Sequence, residues 1–196
     1  MSSREFILAN VRRNQPDATP LPPLPAFGGA ALDLPIAFAD ALERMGGRLA
    51  TPPGHGSLDQ FIAGLFPDAR VICSATTAVQ GTFAVTDVRD PRELRDVDVG
   101  VVRAAFGVAE TGSVALSEGE LGVNALAFLS QHLVVLLDPA AILPGLAAAY
   151  GQPWFREVRY GALLTGPSAT ADIEGVLVRG AQGIRSLTVI LLPEPG

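Results

Sequence analysis

The spacing of apolar positions changes repeatedly along the chain, and each change predicts an element. Phe6, Ile7 and Val11 recur at helical spacing behind Ser2 and Glu5, a capping-box pair, and predict a short N-terminal helix. Pro16, Pro20, Pro22, Pro23 and Pro25 then interrupt any helix or central strand, so residues 15–31 read as an extended arm. Such an arm is either a connector or a segment exchanged with a neighbouring subunit. Asp33 and Pro35 open a second helix, with Phe38, Leu42 and Met45 on one core-facing stripe and Gly46-Gly47 as its stop. A short strand over 48–51 and a third helix follow, the latter opened by Ser57 with Gln60 and carrying Phe61, Ile62 and Leu65.

Short apolar runs then alternate with turn and helix signals. Val71–Cys73, Val99–Val102, Ser113–Leu116, Tyr160–Leu164 and Leu187–Leu192 are expected strands, and His132–Leu137 is the clearest buried one. Asp90-Pro91-Arg92-Glu93 predicts a brief helical turn. Asp138-Pro139 caps a further segment whose helix starts either there or, because of Pro144, only near Leu143. This alternation predicts an α/β fold, Rossmann-like, with a mainly parallel sheet flanked by helices. The expected organisation is an N-terminal helix and Pro-rich arm over 1–31, then one α/β domain over 32–196, with no internal repeat.

Composition narrows the chemistry. At 48% hydrophobic and 17% charged residues, with mean hydropathy +0.35, the chain suits a sheet buried on both faces. It has no apolar run long enough to span a membrane and no N-terminal secretion signal, so a cytoplasmic location is expected. All 14 basic residues are arginine, which excludes lysine Schiff-base chemistry and a P-loop lysine. One cysteine, Cys73, forms no internal disulfide and cannot hold an iron–sulfur cluster alone; its apolar run predicts a core position. His55 and His132 lack zinc-ligand spacing, and no metal or cofactor is expected. A net charge of −6 with scattered arginines argues against a nucleic-acid surface.

Three glycine-bearing segments are candidates for chemistry. The strand Tyr160–Leu164 runs into Thr165-Gly166-Pro167-Ser168, with a helix expected from about Ser168. A strand-to-helix turn at the carboxyl end of a parallel strand is a common ligand position, where Gly166 admits close approach and Ser168 or Thr170 offers a hydroxyl to an anion. The same residues also serve as helix caps, with Asp172 and Glu174 complementing the dipole or accepting hydrogen bonds from sugar hydroxyls or a partner's arginine. In Gly107–Ser113, Glu110 lies between apolar runs, either paired with an arginine, of which Arg103 is nearest in sequence, or acting as a catalytic acid. Thr111, Gly112 and Ser113 adjoin it as strand residues or ligand contacts. Gly180, Gln182 and Gly183 form a third turn before the last strand.

The order of these segments resembles the lactate utilization protein C (LUD-domain) family. The resemblance rests on Glu110-Thr111-Gly112 before an apolar strand, then His132–Leu137, then Thr165-Gly166-Pro167-Ser168-Ala169-Thr170-Ala171-Asp172-Ile173-Glu174, and a Gly-x-x-Gly turn at Gly180–Gly183. It covers roughly residues 70–192. It implies a fold similar to the sugar-phosphate isomerase and CoA-transferase superfamily, with binding residues among Thr111, Gly112, Ser113, Gly166, Pro167, Ser168, Thr170, Asp172, Glu174, Gly180, Gln182 and Gly183. The resemblance is that of a divergent member, because Gln182 stands where the family commonly has a histidine and Ile184 where it has a proline.

That resemblance implies a non-redox accessory subunit in oxidation of L-lactate to pyruvate. Its partners would be iron–sulfur or cysteine-rich subunits, and its ligand a small carboxylate or phosphate-bearing molecule. Two other readings stay open: a stand-alone isomerase or CoA-transferase-like enzyme using Glu110 as catalytic residue, and an interaction module whose pocket has decayed.

Overall fold

Capping side chains set the first helices in place. In the computed structural model, which describes residues 2–16, 20, 22, 33–167, 169–173, 176–179 and 182–193, Ser2 and Glu5 form the expected reciprocal box at the start of α1 (Ser3–Arg13). No residue of α1 is buried, and Phe6 and Ile7 are 58% and 59% exposed, so its apolar stripe packs on no described part of the chain. Asp33 accepts the Ile36 N–H to start α2 (Leu34–Arg44), which buries Phe38, Ala41 and Leu42. Met45, just beyond its end, is exposed rather than core. Most of the Pro-rich arm lies outside the described residues.

The chain continues through β1 (Arg48–Ala50), α3 (Leu58–Leu65), β2 (Ile72–Ser74), β3 (Phe83–Ala84), β4 (Val99–Arg103), β5 (Phe106–Val108) and β6 (Ser113–Ser117). Then come α4 (Glu118–Leu121), α5 (Leu126–Leu129), β7 (His132–Leu137), β8 (Ile142–Leu143), α6 (Leu146–Tyr150), α7 (Trp154–Glu157) and β9 (Gly161–Leu164). β10 (Ala169–Ile173), β11 (Val176–Arg179) and β12 (Ser186–Leu191) complete it. Short 3-10 turns lie at Val85–Asp87, Pro91–Asp96 and Pro139–Ala141. Asp138 therefore caps a 3-10 turn, and the helix after Pro144 starts only at Leu146.

The central sheet is six-stranded and parallel throughout, in the order β1-β12-β7-β4-β2-β3. Alternate residues of β7 enter different cores: Leu133, Val135 and Leu137 face one side, Val134 and Leu136 the other. That period of two explains why the run is apolar at every position. Ile62 and Phe66 of the α3 region cover one face; α2, α4 and α5 cover the other, with Phe38, Leu42, Leu121 and Leu126 fully buried.

A second sheet, β8-β5-β6-β9, packs beyond α2. Its β5–β6 and β6–β9 pairs are antiparallel and its β5–β8 pair is parallel. Val114 and Leu116 point toward the main core, whereas Phe106, Val108 and Ala115 meet Trp154 and Phe155 on the outer side. The expected strand Tyr160–Leu164 exists as β9, but it pairs antiparallel with β6 and lies outside the parallel sheet. The turn after it is thus not at a carboxyl end of that sheet.

The expected helix from Ser168 is replaced by a strand. β10 pairs antiparallel with β11 over Ala169–Arg179 and Thr170–Val178, with an irregularity before Ile173–Val176. The β-branched and apolar run Val176-Leu177-Val178 supplies a partner strand, and cross-strand pairing outweighs the cap and dipole signals that favoured a helix.

Candidate functional site

Two of the marked glycines bring the site together through the end of α2. Gly112 has φ 67° and Gly166 has φ 72°, a region that side chains rarely adopt. A Cβ on Gly112 would overlap the backbone of Leu42, and one on Gly166 the carbonyl of Met45. The close approach expected at these positions is therefore that of the protein's own helix, which docks between the turn before β6 and the turn after β9.

That docking places three hydroxyls in a row. Thr111 Oγ1 lies 2.7 Å from Ser113 Oγ, which lies 2.5 Å from Thr165 Oγ1. Ser113 is buried and the outer two are partly exposed. Each hydroxyl both donates and accepts, so the chain can turn either an O–H or a lone pair toward a ligand. It borders a cavity of about 400 Å³ also lined by Arg44, Met45, Glu110, Leu146 and Leu163.

Glu110 is exposed at the rim of this cavity. Its Oε2 accepts the Leu146 N–H at 2.9 Å, at the start of α6, and its own N–H donates to the Pro144 carbonyl at 3.2 Å. Arg103 is not its partner: that side chain donates from Nη1 to the Leu192 carbonyl at 3.3 Å. Among the described residues Glu110 forms no salt bridge, and the cation nearest the ligand space is Arg44, which lines the same cavity.

An adjoining cavity of about 490 Å³ shares Met45 and Thr165 with the first. Gly166, Pro167 and Ala169 form one wall, Gln182, Gly183 and Ile184 another, and Phe128 lies at its exposed apolar rim. Glu110, Thr111, Ser113, Gly166, Pro167, Gln182 and Gly183 thus gather around Thr165, while Gly112 serves the helix contact. Ser168, Glu174 and Gly180 lie outside the described residues. Thr170 and Asp172 belong to β10, with side chains outside the description, and a helix-capping role for them is excluded by the strand. Arg44 and Leu146 were not marked by sequence, and Met45 was marked only as a core position; Arg44 has only the signature of a helix-end cation.

The other titratable groups of interest lie elsewhere. Cys73 is fully buried, and burial followed by the Asp87 charge pushes its thiol up to about 11. His132 bonds Ser186 Oγ through Nδ1 at 2.8 Å, and its ring lies 4.9 Å from that of Phe66. Burial lowers its pKa, and the Arg185 and Arg48 charges lower it further against the pull of Asp98. Among the described residues no three His, Cys, Asp or Glu side chains converge as a metal site. No helix of the described residues is long and apolar enough to cross a membrane.

Comparison with known proteins bears on the family and the fold. A family model described as the LUD domain matches residues 77–192. Over 92 residues the chain is 32% identical to the uncharacterized protein YkgG of Escherichia coli (strain K12), covering 43% of this chain and 39% of that relative. The crystal structure of a DUF162 family protein from Deinococcus radiodurans superposes with a TM-score of 0.61 over 81% of this chain and 96% of that one. At 17% identity that likeness speaks to the α/β fold.

Proposed function

Since the chain belongs to the LUD domain family, which is associated with lactate utilization, we propose that it is a cytoplasmic, non-redox accessory subunit of an L-lactate-oxidising system that binds a small carboxylate. The row Thr111–Ser113–Thr165 beside Arg44 carries this reading. A guanidinium suits a carboxylate, and a hydroxyl row suits the neighbouring hydroxyl or keto oxygen of a hydroxy or keto acid. Leu163 and Met45 offer an apolar wall for the remaining carbon. One cysteine and two histidines give this chain too few ligands for an iron–sulfur cluster of its own, so the electrons would pass through a cysteine-rich or iron–sulfur partner.

Purification of the chain with its partners from the cells that express it tests the assembly. Lactate oxidation and visible absorbance should follow an iron–sulfur protein that co-purifies, and the separated chain should be colourless and without lactate dehydrogenase activity. A flavin or cluster chromophore on the isolated chain would overturn the reading.

The exposed carboxylate of Glu110 at the cavity rim supports a second reading, an enzyme of the isomerase or CoA-transferase type. In that case Glu110→Gln would abolish turnover while ligand binding persisted. Under the accessory reading the same variant leaves the activity of the assembled system within a few-fold of normal.

A further inference from the structure

The carboxyl ends of the parallel strands hold a larger cavity that no sequence motif marks. From β2 the chain runs outward to β3 at the sheet edge, whereas from β4 it leaves through Ala104 and Ala105 for β5 of the second sheet and re-enters the central sheet on the other side of β4, at β7. The loops leaving these two neighbouring strands therefore part, and in open α/β sheets ligands occupy the crevice that such a divergence leaves. Here the crevice measures about 940 Å³, near the upper end of the roughly 300–1,000 Å³ usual for small-molecule sites.

Its polar groups are few and held in place. Arg103, the last residue of β4, is half-buried, and its bond to the Leu192 carbonyl fixes the guanidinium across the ends of β4 and β12. Only Nη1 is engaged in that bond, so the rest of the donor fork is left for a ligand. Ser74 holds the loop after β2, since its Oγ donates to the Thr76 carbonyl at 2.9 Å and accepts the Thr76 N–H at 3.2 Å. Thr76 Oγ1 in turn accepts the Ala78 N–H at 3.3 Å and keeps its own O–H to donate, and Thr77 is exposed beside it. On the far side, Glu120 Oε2 accepts from the Ser117 N–H and hydroxyl, which leaves Oε1 as an acceptor. Alanines and Leu192 supply the remaining wall.

We propose that this crevice binds a phosphate-bearing ligand of nucleotide size. Arg103 and the Thr76 and Thr77 hydroxyls hold the phosphate, Glu120 accepts a ribose hydroxyl, and the base lies on the alanine and leucine wall. Planar guanidinium forks match phosphate oxygens, and an apolar wall with a few convergent polar groups is the usual build of such a site. This cavity is separate from the Glu110 cavity. Ser113, at the start of β6, lines the Glu110 cavity, whereas Ser117, at its end and about 13 Å away at the rise of a β-strand, bonds Glu120, which lines this one.

Titration of the full chain with ADP, by calorimetry and by amide chemical shifts, tests the proposal, with inorganic phosphate as competitor. Saturable ADP binding is expected, with shifts at Thr76, Thr77 and Arg103 and competition by phosphate. Arg103→Gln and Thr77→Val should each weaken it about tenfold or more, as expected for loss of a charge-assisted hydrogen bond. Glu110→Gln should leave it unchanged, which separates this site from the lactate-related one. Thr77 is exposed, so a native melting curve for Thr77→Val keeps the test valid even where Arg103→Gln fails to fold. Absence of binding up to millimolar ADP, affinity unchanged in Thr77→Val, or failure of phosphate to compete would each overturn the proposal.

Discussion

Glu110 accepts the backbone N–H of Leu146 through Oε2 at 2.9 Å, and this contact joins the turn before β6 to the first residue of α6. The acid is thereby fixed at the cavity rim by an otherwise unpaired helix-end amide. Glu110→Ala should lower stability by about 0.5–1 kcal/mol, the usual net worth of an exposed hydrogen bond. Urea unfolding measures this, and an unchanged midpoint would mean that the contact does not persist in solution.

The docking of α2 depends on Gly112 and Gly166. Alanine at either would combine a positive φ with overlap onto the backbone of Leu42 or Met45, at a cost of about 2–3 kcal/mol each. Both substitutions push on the same helix, so the double variant should lose less than the sum of the singles. A double-mutant cycle by urea unfolding reads that coupling. Strict additivity would count against a shared contact.

Acid should weaken the fold in two windows. His132 has its pKa lowered in the folded state, by burial first and then by Arg185 and Arg48. The unfolded chain therefore takes up the proton first, and stability is lost as pH falls below about 6.5. Asp98 is also lowered, because its Oδ2 accepts the Val71 and Arg70 amides at 2.9 and 2.8 Å. Its contribution is full above about pH 4 and is lost as pH falls through the lower folded value. Melting curves from pH 8 to 3 should show both declines, and His132→Gln should flatten only the upper one.

Cys73 should be inert in the folded protein. Its buried thiol, raised to about 11, leaves little thiolate at pH 8. Alkylation by iodoacetamide at that pH should proceed only on unfolding, with a rate that rises through the urea transition. Rapid labelling of the native chain would contradict its placement between β4 and β3.

The elements legible in the sequence were those whose neighbours leave a local pattern. His132–Leu137 showed as a strand because both its faces are buried, and α2 and α3 showed through their caps and stripes. β10 did not, because Thr165-Gly166-Pro167-Ser168 carries helix-start chemistry, and only pairing with Val176–Arg179 decides for a strand. The strands Phe83–Ala84, Phe106–Val108 and Ile142–Leu143 are too short to show a period.

The site was legible in its residues but not in its geometry. Glu110, Ser113 and Gly166 carried the resemblance, yet nothing local announces that Arg44 and Met45, from the far end of α2, stand between them. The crevice near Arg103 left still less trace. Four of its eleven lining residues are alanine, and its position follows from strand order, which a local pattern does not encode.

The most direct test of the carboxylate site is titration of the chain with L-lactate and with pyruvate, followed by amide shifts and calorimetry on wild type, Arg44→Gln and Thr165→Val. Saturable shifts at Glu110, Ser113 and Thr165 are predicted, with affinity falling about tenfold in each variant as one hydrogen-bond partner is removed, while the melting temperature stays within a few degrees. No saturable shift at these residues, or a Thr165→Val variant that binds both acids as wild type does, would contradict the assignment of this cavity.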